Sequence, residues 1–150
     1  MTTSNRSATL NKSHRVLKRT YKHAPTKGEQ PVLESLLFAC CLENTRHEVA
    51  REAFAKVRQA FFDWNEIRVS TAKELAEVMD RLPEPLEAAT RLKSILQCVF
   101  ESDYSFELEQ LKKQNLGAAV KRLQKLQGAT PFNVAFTTQV ALGGHAIPVD

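Results

Sequence analysis

Apolar residues first recur at helical spacing after Pro31. Val32, Leu33, Leu36, Leu37 and Cys40 fall at that spacing, and Pro31 suits the first turn of a helix. Thr45 and Glu48 stand three apart and predict a capping box opening 45-TRHEVAREAFAKVRQAFFDW-64. In that segment Val49, Phe54, Val57, Phe61 and Trp64 trace one broad apolar face, most simply a core face. A second box, Thr71 with Glu74, predicts a helix in 71-TAKELAEVMDRL-82. Pro83 and Pro85 then break the chain and restart a helix that turns Leu86, Ala89, Leu92, Ile95, Leu96 and Val99 inward. Shorter amphipathic stretches follow at 105–114 and 116–126, with a last apolar helix at 131–142. Only 145-HAIPVD-150 reads as extended, and no strand-type alternation appears. The expectation is an all-α domain of about seven short helices.

Residues 1–30 break this pattern. They are polar, Ser/Thr-rich and weakly periodic, and hold seven Lys and Arg against one acid, Glu29. The remaining residues hold fourteen basic and sixteen acidic side chains, so the formal charge of +4 comes from the arm. The composition predicts a basic flexible arm (1–30) and a helical domain (31–150). The arm is either a solvated tail or an electrostatic arm that follows a polyanion such as DNA. Tyr21 is its sole aromatic residue, so base stacking has little support.

Cys40, Cys41 and Cys98 show no zinc-ligand spacing and read as small hydrophobes in a reducing compartment. No apolar run reaches the roughly 18 residues of a membrane span, and there is no secretory h-region. The expected location is cytoplasmic, or nucleoid-associated in a prokaryote.

The richest local signal is 126-LQGATPF-132. Gly128 can take the left-handed geometry that closes one helix, and Pro131 fits the first turn of the next. The start of that second helix offers backbone N–H groups and the positive end of a dipole, a site suited to phosphate. Lys121, Arg122 and Lys125 precede the turn and add positive charge. The bland alternative is a packing turn that binds nothing. Arg91 and Lys93 are further candidates for a backbone phosphate, or simply a solvated helix face. Glu43 and Asn44 read as capping groups.

Leu126, Gly128, Val134, Ala135 and the pair Val149-Asp150 fall in the order found in the endonuclease III superfamily of DNA glycosylases, which this chain resembles over residues 31–150. The segment 32-VLESLLFACCLE-43 looks like the family's early helix. The resemblance implies a helix-hairpin-helix glycosylase-like domain that engages double-stranded DNA containing a damaged or mismatched base. Gly128, Ala129, Thr130, Phe132, Lys121, Arg122 and Lys125 would contact DNA, and Asp150 would be the catalytic carboxylate. The sequence departs from the pattern at several places. Phe132 replaces the lysine of bifunctional members, which implies no lyase chemistry. Thr130 replaces a second hairpin glycine, and Cys40 or Cys41 stands where many relatives have a DNA-contacting glutamine. The family's iron–sulfur ligands have no counterpart, so no cofactor is expected. An ending at the aspartate reads as an N-terminal portion of a longer protein. His145, five residues before Asp150, reads as a solvent-facing histidine rather than a proton carrier. The competing expectations are a DNA-binding module without catalysis and a helical interaction domain.

Overall fold

The computed structural model describes residues 2–21 and 28–150, with side chains from Asn5 onward. The fold is all-α. The described residues hold eight α-helices and one 3-10 turn, Glu109–Lys113, with no strand among them. The helices are α1 (Thr2–Thr20), α2 (Val32–Leu42), α3 (His47–Ala60), α4 (Trp64–Val69), α5 (Ala72–Val78), α6 (Pro85–Asp103), α7 (Leu116–Gln124) and α8 (Pro131–Val140).

α2 is the centre. Its sequence, VLESLLFACCL, is apolar nearly all round, the composition of a helix surrounded by others. It packs against α3, α6, α8 and the 3-10 turn, and Val32, Leu36 and Leu37 lose all their exposure. Each such leucine contributes roughly 1.5–3 kcal/mol by leaving water. Because α2 begins inside the core, its first N–H groups need a partner from elsewhere. Glu109 supplies one, its Oε1 accepting the Val32 N–H at 2.6 Å. The adjacent Lys112 pairs with the other carboxylate oxygen at 2.8 Å.

The capping signals divide. Thr71 and Glu74 form the expected box, and Pro85 opens α6 as expected. The box at Thr45 and Glu48 does not form. Arg46 is the residue before α3, and the Thr45 hydroxyl donates to the Glu43 carbonyl at 3.2 Å. Nor is 45–64 a single helix. α3 ends at Ala60, and Asp63 starts α4 by accepting the Glu66 N–H at 2.7 Å. This local cap competes successfully with continuation of the helix. Phe54 and Val57 are buried as expected, and Val49, Phe61 and Trp64 pack on the edge of the core. Leu86 is 57% exposed, whereas Ala89, Leu92, Ile95, Leu96 and Val99 are buried. As the second residue of α6, position 86 lies outside the stripe set by the residues that follow.

Residues Thr2–Thr20 of the basic arm are helical, and every described side chain from Asn5 to Tyr21 is exposed. Residues 22–27, the rest of the arm's basic sequence, lie outside the described residues. No helix among the described residues is long and apolar enough to cross a membrane.

Candidate functional site

The hairpin takes the geometry its residues predict. Gly128 has φ +94°, and a Cβ there would stand 2.8 Å from the Arg91 carbonyl and 2.9 Å from the Ser94 Cβ. The glycine therefore serves two needs, a left-handed turn and close approach to α6. Pro131 is the first residue of α8, and Thr130 caps it. The Thr130 hydroxyl accepts the Asn133 N–H at 3.2 Å, while the buried Asn133 Oδ1 accepts the Thr130 N–H at 3.0 Å. The Ala129 N–H donates to the Leu126 carbonyl at 3.1 Å. Two of the backbone donors that the sequence offers to a phosphate, those of Ala129 and Thr130, are thus engaged within the hairpin.

A carboxylate also stands beside this helix start. Glu43, the residue after α2, accepts the Thr130 hydroxyl proton at 3.0 Å and the Arg91 guanidinium at 2.5 Å. Arg91 reaches Glu87 as well. The two side chains of the Glu43–Arg91 pair are only 13% and 25% exposed, which shields their attraction from solvent. Glu43 is the C-cap of α2, its backbone N–H donating to the Ala39 carbonyl at 3.1 Å, which leaves its side chain for other partners. It joins the end of α2 to α6 and to the hairpin. Arg91 is committed to this network, and Lys93 hydrogen-bonds the Ser70 carbonyl, so neither stands free on a solvated helix face.

Asp150 arrives at the same place from the far end of the chain. Its Oδ2 accepts the Asn44 N–H at 2.8 Å, and Asn44, at φ +56°, follows Glu43 directly. Gly144 brings the tail past α8. It is buried, its N–H donates to the Thr138 carbonyl at 2.9 Å, and a Cβ would lie 2.6 Å from Thr138 and 3.1 Å from Leu116. Val149 and Asp150 are exposed, as is His145.

Next to Asn44 lies a cavity of about 320 Å³, lined by Cys40, Cys41, Glu43, Asn44, Glu84, Glu87 and Arg91 among others. Its wall carries three carboxylates and one guanidinium. A hydrogen bond with Glu87, together with the charge of that neighbour, holds the Glu84 carboxyl above the usual range. Burial pushes both thiols up, Cys41 to about 12, which keeps them as inert wall groups at neutral pH.

The expected DNA-contacting residues fall into three groups. Thr130 and Gly128 lie at the junction of α2, α6 and α8. Lys121 and Lys125 project from α7 and its end into solvent, and Arg122 pairs with Asp103 at 3.1 Å. Phe132 is buried and stacks on Phe136, with Ala129 packed against the core, so both support the hairpin from beneath. Cys40 and Cys41 are buried too, and the α2 end is represented on the surface by Glu43 and Asn44. Sequence reasoning assigned Glu43, Asn44 and Arg91 minor roles. The Glu87–Arg91 spacing of one helical turn was visible, but the pairing of Arg91 with Glu43 spans 48 residues and has no local signature.

Among the described residues no group of three or more His, Cys, Asp or Glu could hold a metal ion. No protein-family model and no curated protein matches the sequence.

Proposed function

We propose that this chain is a DNA base-excision protein of the helix-hairpin-helix glycosylase kind, with Asp150 as its carboxylate and no lysine-based lyase step. One observation carries the reading: Asp150, the end of α2 and the hairpin cap meet at one place, through the Asn44–Asp150 and Thr130–Glu43 hydrogen bonds. Separations of 106 and 87 residues make this a product of the fold rather than of chain proximity. Asp150 uses one oxygen toward Asn44, and its exposed carboxylate keeps acceptor capacity toward solvent.

In this reading a damaged nucleotide leaves the duplex stack, because its glycosidic bond is inaccessible within it. The cavity beside Asn44, at about 320 Å³, lies at the small end of the range for ligand pockets, and its carboxylates would accept hydrogen bonds from a base's amino groups. As the C1′–N bond breaks, Asp150 stabilises the positive charge developing on the sugar. Water then adds at C1′, and the proton it loses passes by way of the carboxylate to the departing base, so one water is consumed and the carboxylate ends ionised.

The test is base release from a panel of lesion-containing duplexes, compared between the native chain and Asp150→Asn. The amide can still accept from the Asn44 N–H, so the substitution removes charge while keeping the hydrogen bond. The expected outcome is release reduced by about a thousandfold or more, the scale of a lost transition-state charge interaction, with duplex affinity nearly unchanged. Equal release by the two proteins would sink the assignment.

A second reading, a DNA-binding module without catalysis, is favoured by a specific feature. Asp150 is exposed rather than enclosed in a pocket, while Lys121 and Lys125 beside the hairpin stay open to solvent and to a phosphate backbone. Salt-dependent duplex binding with no release from any lesion would select it.

A further inference from the structure

Among the described residues, α1 is a helix without a tertiary partner. Its described side chains are all exposed, including Leu10 at 69% and Leu17 at 55%, and none of the ion pairs among the described residues involves it. Between Thr2 and Tyr21 the sequence has Arg6, Lys12, Arg15, Lys18 and Arg19 and no acid. The 3.6-residue repeat sorts these groups. Lys12, Arg15 and Arg19 share one face, with Lys18 beside it. Leu10, Leu17 and Tyr21 form a narrow stripe on the other side, which Arg6 shares, while Val16 lies at the edge of the cationic face.

This arrangement is unfavourable for a helix alone. Cations spaced three or four residues apart repel, as Lys12 and Arg15 or Arg15 and Arg19 do, and no packed apolar face offsets the repulsion. A row of negative charge along the cationic face removes the cost. A stripe of Leu10, Leu17 and Tyr21 is too thin to seat the helix in a lipid interface, which calls for a broad apolar face. The charge pattern is complementary to a phosphodiester backbone.

We infer that α1 is a second DNA-contacting element, laying Lys12, Arg15, Lys18 and Arg19 along backbone phosphates. It supplies sequence-independent affinity to the site on the helical domain. The inference rests on the DNA-directed reading above and adds to it the element that supplies most of the electrostatic affinity.

The experiment measures binding of the full chain to a short undamaged duplex across a salt series. The variant replaces Lys12, Arg15, Lys18 and Arg19 together by Gln, a good helix former that keeps α1 helical. Counterion release gives a slope change of roughly 0.9 in log K against log salt for each phosphate that is no longer neutralised. The slope should therefore fall by about three to four units, with at least about tenfold weaker binding near 0.1 M salt. A charge-conserving variant with Arg at Lys12 and Lys18 should keep the native slope. An unchanged slope in the Gln variant overturns the inference. So does loss of binding in the Arg variant, or equally tight binding of the native chain to phosphatidylserine vesicles. If the native chain binds no duplex at any salt, this inference and the proposed function fall together. If it binds and the Gln variant binds with the same slope, only the role of α1 falls.

Discussion

Gly128 shows how one position can answer to two constraints. Its φ of +94° is a conformation that side chains rarely adopt, and its missing Cβ leaves room for the Arg91 carbonyl. Gly128→Ala would impose both the left-handed penalty and a backbone clash, for a loss of about 2–4 kcal/mol. Because the clash is with backbone, side-chain rotation cannot relieve it. Chemical denaturation should show the midpoint falling with m little changed, which reports lost stability without a change in the surface exposed on unfolding. Half of this was legible in the sequence. A glycine between two helical patterns predicts the turn, while the approach to α6 requires knowing that residues 91 and 94 lie beneath it.

Among the helices, the start of α2 depends on a group 77 residues away. Burial alone would raise the Glu109 carboxyl, but the hydrogen bond from Lys112, the Val32 N–H and the Lys112 charge outweigh it and hold the carboxyl below its usual 4.5. A carboxylate whose folded value is depressed favours the folded state fully above its unfolded value, and that contribution is lost as pH falls through the folded value. Glu109→Gln should therefore destabilise the fold at pH 7 by about 1 kcal/mol, the scale of one net hydrogen bond. The difference between the two proteins should shrink as pH drops below 4.5. Thermal unfolding of both proteins between pH 3 and 7 would check this, and a gap that persists or grows in acid would contradict it. The Thr71 box was legible because both partners lie within four residues. The apparent box at Thr45 misled for the same reason: a local pattern permits a cap, but the Glu43 carbonyl took the Thr45 hydroxyl.

Across the protein as a whole, the cysteines report on the core. Cys40 and Cys41 sit in α2, buried and with raised thiol values, whereas Cys98 on α6 is half-buried. A thiol-reactive reagent at neutral pH should modify Cys98 first. Cys40 and Cys41 should react only at the rate at which α2 leaves its neighbours, so their labelling should track global unfolding in a denaturant series. Early labelling of Cys41 under native conditions would show that the cavity beside it opens without unfolding. The pattern follows from α2 being the element that α3, α6 and α8 all cover.

Local sequence was enough to set the all-α class, the principal helices from Pro31 onward, the hairpin with Gly128 and Pro131, and the concentration of positive charge before residue 31. Those features rest on periodicity, backbone preference and composition, which act over a few residues. Only the assembled core joins Glu43 to both Arg91 and Thr130, brings Asp150 to Asn44, and lets Glu109 start α2. The same packing leaves α1 a helix with no packed face. Pairings across 48 to 106 residues are set by how the helices stack, and stacking depends on the shape of the whole core.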